Sequence, residues 1–156
     1  MFAKTAAFAA IVALAGSAVA QKCTRTYAVQ EGDWCDTISA KQNASTYQLS
    51  TVNPAINDLC ANLEIGWNLC LGFEGSDCQT VYTVEANDTI ESIAEKYKTN
   101  STVVLANNPQ LEDDSSNLYI GEVLALCGAV TVPEATSTSP TAAVPAHAET
   151  AGEDEC

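Results

Sequence analysis

The sequence predicts an α+β protein made of two tandem small β-α-α-β modules, disulfide-stapled and followed by a disordered tail. Three observations predict it. The chain matches itself without a gap at a shift of 55 residues. Within each copy the apolar period changes from strand-like to helix-like and back. Six of the seven cysteines fall inside the repeat, where their register suggests partners.

The repeat is dense. Cys23 falls on Cys78, Tyr27 on Tyr82, Val29 on Val84 and Asp33 on Asp88. Ile38 falls on Ile93, Asn53-Pro54 on Asn108-Pro109, Asp58 on Asp113 and Asn62-Leu63 on Asn117-Leu118. Ile65-Gly66 falls on Ile120-Gly121, and Leu69 and Leu71 fall on Leu124 and Leu126. Such a register marks two copies of one module of about 50 residues. Module one is read as 23–72, a linker as 73–77 and module two as 78–127.

Each element has a local cause. Thr26 to Gln30 and Val81 to Glu85 read as short strands with Tyr and Val on one face. In copy two, Ile90, Ile93, Ala94 and Tyr97 follow the spacing of an amphipathic helix. Asp33 with Asp36, and Asp88 with Glu91, read as an N-cap and its N3 acid. Ser45 with Gln48 reads as a capping box opening a second helix, with Leu49 and Val52 facing inward. Asn-Pro stops that helix, because the residue before proline avoids the helical region. A loop leads to Ile-Gly and a last strand carrying the paired leucines. Two strands this short should pair as an antiparallel ribbon covered by both helices.

The register also suggests the disulfides. Cys35 and Cys60 align with Ile90 and Ser115, so both are present in one copy and both absent from the other. Partners behave that way, which pairs Cys35 with Cys60. Cys23 and Cys78 precede the first strands, while Cys70 and Cys127 lie at the ends of the last ones. In an antiparallel ribbon those ends adjoin, which pairs Cys23 with Cys70 and Cys78 with Cys127. Cys156 is left odd, either free or in an intermolecular bridge.

The two ends read differently. Residues 1–20 carry Lys4, an apolar run from Ala6 to Ala15 and Ala18-Val19-Ala20, the pattern of a secretory signal peptide. Export through an oxidising path fits the cysteine framework. Residues 128–156 are rich in Thr, Ser, Pro and Ala and close acidic, the composition of a disordered, O-glycosylated tail. The single histidine, His147, lies there, without partners for a triad or a zinc site. The 156 residues include 20 acids against 6 bases, a net charge of −14. That charge disfavours nucleic acid and anionic lipid. No apolar stretch reaches the roughly 20 residues of a membrane span. No metal or cofactor site is expected. Glu112, Asp113 and Asp114 form an acidic cluster, but adjacent exposed acids are more simply solvated charge than a catalytic pair, and no catalytic residue is expected.

The pattern Tyr-x-Val, Gly-Asp, Ile, Asn-Pro and Leu-x-Ile-Gly-x-x-Leu resembles the LysM module, and Cys35 after Gly32-Asp33-Trp34 is similar to its fungal branch. A signal peptide with two such modules resembles a fungal LysM effector. The resemblance implies a secreted, extracellular, non-enzymatic protein in the host apoplast or fungal wall. It implies binding of chitin and its oligosaccharides, so as to sequester fragments from plant receptors or to shield hyphae from chitinases. The alternative is a wall-resident structural glycoprotein. The neutral sugar polymer is not repelled by the acidic surface.

The resemblance also places the sugar groove, where the strand–helix loop and the helix–strand loop meet. In copy one the matching positions are Gly32, Asp33, Trp34, Asn53, Pro54, Ala55, Ile56 and Asn57. In copy two they are Asn87, Asp88, Thr89, Asn108, Pro109, Gln110, Leu111 and Glu112. Asn87 stands where copy one has glycine, which makes copy two the weaker candidate. Trp34 either stacks on a sugar or covers the disulfide. Trp67 aligns with Glu122, and that position reads as exposed. Sequons at Asn43, Asn87 and Asn100 imply N-glycosylation, with Asn87 inside the groove. Two modules on a short linker are expected to share long oligomers, which allows ligand-induced dimers, and the odd Cys156 allows a disulfide-linked dimer.

Overall fold

The computed structural model describes residues 21–57, 59–112 and 114–133. The expected signal segment, the part of the tail holding His147 and Cys156, and the Asp58–Asp113 match lie outside the described residues. Copy one folds as β1 (Cys23–Ala28), α1 (Cys35–Gln42), α2 (Thr46–Val52) and β2 (Asn68–Phe73). Copy two folds as β3 (Val81–Thr83), α3 (Ile90–Lys96), α4 (Ser101–Asn107) and β4 (Val123–Ala125). The fold is α+β, with an antiparallel two-stranded ribbon in each module. Tyr27 stands opposite Leu69 and Tyr82 opposite Leu124.

Each ribbon and its helices enclose a small core. Ile38, Leu49, Leu69 and Leu71 fill the first, and Ile90, Ile93, Val104 and Leu124 the second. Each such side chain removed from water contributes about 1.5–3 kcal/mol. Two cores this small need covalent support. Disulfides Cys23–Cys70, Cys35–Cys60 and Cys78–Cys127 join residues separated by 47, 25 and 49 positions.

Several local expectations are corrected. The first strands stop at Ala28 and Thr83, short of Gln30 and Glu85. The Gln30 and Glu85 N–H groups donate instead to the Asp33 and Asp88 carboxylates, each at 2.8 Å. Those aspartates are therefore not the N-caps. The caps are Trp34 and Thr89, one residue later. Thr89 Oγ1 accepts from Ser92 N–H at 3.1 Å, and Thr37 Oγ1 accepts from Trp34 N–H at 3.0 Å. Ser45 does cap α2, accepting from Gln48 N–H at 3.0 Å. The Gln48 side chain does not complete a box, because it is spent on the segment that joins the modules.

That segment is fixed rather than loose. Gln48 Nε2 donates to the Leu71 carbonyl at 2.6 Å and to Asp77 Oδ1 at 3.0 Å, while Gln48 Oε1 accepts from Cys78 N–H at 2.9 Å. Asp77 also receives a two-point fork from Arg25, at 2.8 and 2.6 Å. Arg25 in turn donates to the Gln42 and Asn43 carbonyls at the end of α1. Gly72 lies so close that a Cβ there would run into Asp77.

Module two then docks on module one. Tyr47 of α2 packs with Cys78, Ala125 and Val132. Beside this apolar patch runs a polar relay. Val123 N–H donates to Thr46 Oγ1 at 3.2 Å, Thr46 donates to Asp36 Oδ1 at 2.6 Å, and the Tyr119 hydroxyl lies 3.4 Å from both Asp36 oxygens. The chain after Cys127, grouped with the tail by composition, continues along module two as far as Pro133. Asn107 holds it, accepting from Thr131 and Val132 N–H at 2.7 and 3.1 Å.

Candidate functional site

The two strand–helix loops share one backbone. Gly32 and Asn87 are both left-handed, at φ 79° and 65°. Asparagine tolerates that region better than most residues, so the turn survives loss of the glycine. Nothing lies within 4 Å of a Cβ placed on Gly32. The aspartates lock these loops from inside. The Tyr27 hydroxyl donates to Asp33 Oδ2 at 2.7 Å, and Tyr82 makes the same bond to Asp88 at 2.6 Å. Burial works against charge on Asp33, but the Gln30 N–H, the Tyr27 hydroxyl and Lys41 outweigh it and hold the carboxyl below its usual range.

The helix–strand loops are likewise built from within. Asn53 Nδ2 donates to the Leu49 and Cys70 carbonyls, both at 2.7 Å, and Oδ1 accepts from Cys70 N–H at 2.8 Å. Asn108 repeats this set with Val104 and Ala125. The asparagine of Asn-Pro therefore splices helix to last strand, and its side-chain amide is committed. Asn62 and Asn117 shape the loop tips. Asn62 spans the Ala55 carbonyl and Asn57 N–H, and Asn117 spans the Gln110 carbonyl and Glu112 N–H. The register matched these two residues without suggesting a role.

In module one the loop opens on a cleft of about 400 Å³ lined by Val52, Asn53, Pro54, Ala55, Ile56, Trp67, Asn68 and Leu69. It gathers four of the expected residues, Asn53 to Ile56. Exposed Asn57 follows them in the chain. Gly32, Asp33 and Trp34 are not on its wall, but the Cys35–Cys60 disulfide ties the residue after Trp34 to the same loop.

Trp67 is the residue that sequence reasoning set aside. It is half-buried against the module-one core, and its indole N–H donates to Glu64 Oε2 at 3.2 Å. An aromatic side chain immediately before the last strand of module one was the available signal. The matching position in module two is not exposed either: Glu122 is fully buried. Its Oε1 accepts from Gln110 Nε2 at 2.8 Å, so Gln110 is turned inward. Of the other module-two candidates, Asn108 and Leu111 are buried, Asp88 is half-buried, and Asn87, Thr89, Pro109 and Glu112 are exposed. Modules of one backbone thus differ at one wall: an indole beside an open cleft in the first, a plugged, docked face in the second.

The acids do structural work. Glu112 Oε2 accepts from the Ser116 hydroxyl at 2.8 Å and Asp114 Oδ1 from Ser116 N–H at 3.1 Å. The Ser116 N–H, foremost, holds the Asp114 carboxyl below its usual range. Among the described residues no group of His, Cys, Asp or Glu side chains gathers to hold a metal ion. Asn43, Asn87 and Asn100 are all exposed, and Asn100 caps α4 through Oδ1, which accepts from Thr102 N–H at 2.8 Å.

The chain is 33% identical over 92 residues to a non-secreted LysM effector of Penicillium expansum, covering 59% of this chain and 7% of that protein. It is 26% identical over 116 residues to a secreted LysM effector of Pochonia chlamydosporia, covering 64% of this chain and 31% of that protein. It therefore spans under a third of either relative. Among solved structures, the spore cortex-lytic enzyme SleL of Bacillus megaterium is 22% identical, with a TM-score of 0.33, over 65% of this chain and 22% of that one. The LysM domain model matches residues 27–72 and 82–126, the two β-α-α-β units described above, and the chain belongs to the LysM domain family.

Proposed function

We propose that the protein is a secreted, non-catalytic binder of chitin and its oligosaccharides, and that module one carries the principal site. One observation carries the reading: the open cleft of module one joins the loop Asn53–Ile56 to the indole of Trp67. A pyranose ring presents a flat C–H face, which suits an aromatic wall, and an acetyl methyl, which suits the aliphatic floor of Val52, Ile56 and Leu69. Loop backbone groups supply hydrogen bonds to the amide and hydroxyls. In module two, Glu122 and Gln110 occupy the equivalent ground.

Membership of the LysM family and the naming of relatives as secreted LysM effectors support an extracellular role. The role we propose is sequestration of chitin fragments from plant receptors, or cover for hyphal chitin against chitinases. The Ser/Thr/Pro-rich tail favours a second reading, a structural wall glycoprotein that binds chitin without an immune role. Suppression of the chitin-triggered oxidative burst in leaf tissue by added protein separates the two. Binding itself is tested by calorimetry with chitin oligomers on the chain and on Trp67→Ala. The variant is expected to weaken binding about tenfold, the worth of one aromatic contact. Equal affinities would place the sugar elsewhere.

A further inference from the structure

Two acceptor atoms at the seam between the modules lack partners, and they belong to one pair of side chains. Gln110 Nε2 donates to Glu122 Oε1, yet Gln110 Oε1 and Glu122 Oε2 are both buried with no donor. An ionised carboxylate can only accept, and so can an amide oxygen. A proton on Glu122 Oε2 supplies the missing donor. Acid and amide then satisfy each other through two bonds in one ring, and both orphans disappear.

We propose that Glu122 is protonated in the docked protein, closing a two-point ring with Gln110, and that loss of this proton loosens module two from module one. Glu122 is completely buried, and the next residue, Val123, donates its N–H to Thr46 of module one. The titratable groups facing it are Asp36 of α1, across the seam, and Tyr119 of its own loop. From α2 comes Thr46, and from the second loop of module two Gln110. Neither ion pair among the described residues, Arg25–Asp77 or Lys41–Asp33, reaches this group. Ionising Glu122 therefore puts a second carboxylate beside Asp36 with no cation paired to either.

The electrostatics run the same way. Burial foremost pushes Glu122 up to about 7, with the Asp36 charge adding to it, against the bond from Gln110 and the Tyr119 backbone N–H. Burial also raises the Asp36 carboxyl, despite the hydroxyls of Thr46 and Tyr119. Below neutrality the ring is closed and the seam is intact. Above it the carboxylate seeks water, and water reaches it only if Tyr119, Glu122 and Val123 lift away from α1 and α2. Module two would then swing about Cys78, which Gln48 keeps on module one, with Ala125 and Val132 leaving Tyr47.

Nuclear magnetic resonance on the full disulfide-bonded chain tests this in two readouts. The Glu122 carboxyl carbon should titrate with a midpoint near 7, two or more pH units above an unperturbed glutamate. Amide relaxation should show one tumbling body at pH 5.5 and two at pH 8.5. Glu122→Gln mimics the protonated acid, since its amide both accepts from and donates to Gln110, and it should tumble as one body at both values. An ordinary midpoint for Glu122 overturns the proposal, as does single-body tumbling of the unchanged chain at pH 8.5 with Glu122 ionised. Opening of Glu122→Gln in step with the unchanged chain overturns it too. If that variant does not fold, the first two readouts still decide.

Discussion

The Gln48 carboxamide accepts the Cys78 backbone N–H at 2.9 Å, and that bond turns the inter-module linker into part of module one. Gln48 is fully buried and also holds the Leu71 carbonyl and Asp77. Gln48→Ala leaves the Cys78 N–H and the Leu71 carbonyl without their side-chain partner. The expected loss is about 2–3 kcal/mol, since each buried orphan costs on the order of 1–3 kcal/mol. Chemical denaturation measures it, and hydrogen exchange should show lost protection at Cys78.

Asn53→Ala is expected to act on the fold and on the ligand together. The residue lines the cleft, yet its three side-chain bonds splice α2 to β2. A fall in melting temperature of several degrees should therefore accompany any loss of binding. Trp67→Ala, in contrast, should lose binding with a smaller stability cost, because its indole is only half-buried. Thermal melts of both variants beside their binding curves check the distinction.

Much of this was legible in the sequence because the chain carries its own comparison. Tyr27 with Tyr82, Asp33 with Asp88 and Asn53 with Asn108 recur because each makes the same bonds in both modules. Cys35 and Cys60 stand out because the second copy lacks both. What repetition hid is what differs by docking. Trp67 and Glu122 share a register position, but Glu122 lies at a seam where Tyr119 meets Asp36 across 83 residues of sequence. No local pattern encodes such a contact. The aspartates were misread as caps for a related reason: their Oδ2 atoms turn back toward the strands, and cap position alone does not say which way a carboxylate points.

Stability should peak in mildly acidic solution. Glu122, raised to about 7, and Asp36, raised by burial, stabilise fully below their unfolded values, near 4. The Glu122 contribution is lost as pH rises through about 7. Asp33 and Asp77 are depressed, Asp77 by the Arg25 fork acting against burial. They contribute above their unfolded value near 4, and that contribution is lost as pH falls through their lower folded values. The two windows place the maximum near pH 4–5. Melting temperature between pH 3 and 9 should show that maximum, and Glu122→Gln should flatten the alkaline limb. A melting temperature still rising from pH 5 to 8 would contradict the assignment.

Removing the Cys35–Cys60 bridge, as the double serine variant, should cost about 3 kcal/mol for a loop of 25 residues in the chain-entropy account. It should also weaken oligosaccharide binding, because the loop carrying Asn57 and Asn62 then loses more freedom on closing over a ligand. Denaturation midpoints and calorimetry on the same sample separate the two effects.

The most direct test of module one as the chitin site is a residue-by-residue map of amide shifts during titration with a chitin hexamer at pH 5.5. The cleft of module one should respond first and most strongly, at Asn53, Ala55, Ile56, Trp67 and Asn68, and with them the Trp67 indole N–H. The matching amides of module two, from Asn108 to Glu112 and at Glu122, should move little. Primary shifts at Asn108 to Glu112 with a silent Trp67 would invert the assignment, and no saturable shift in either module would contradict chitin binding itself.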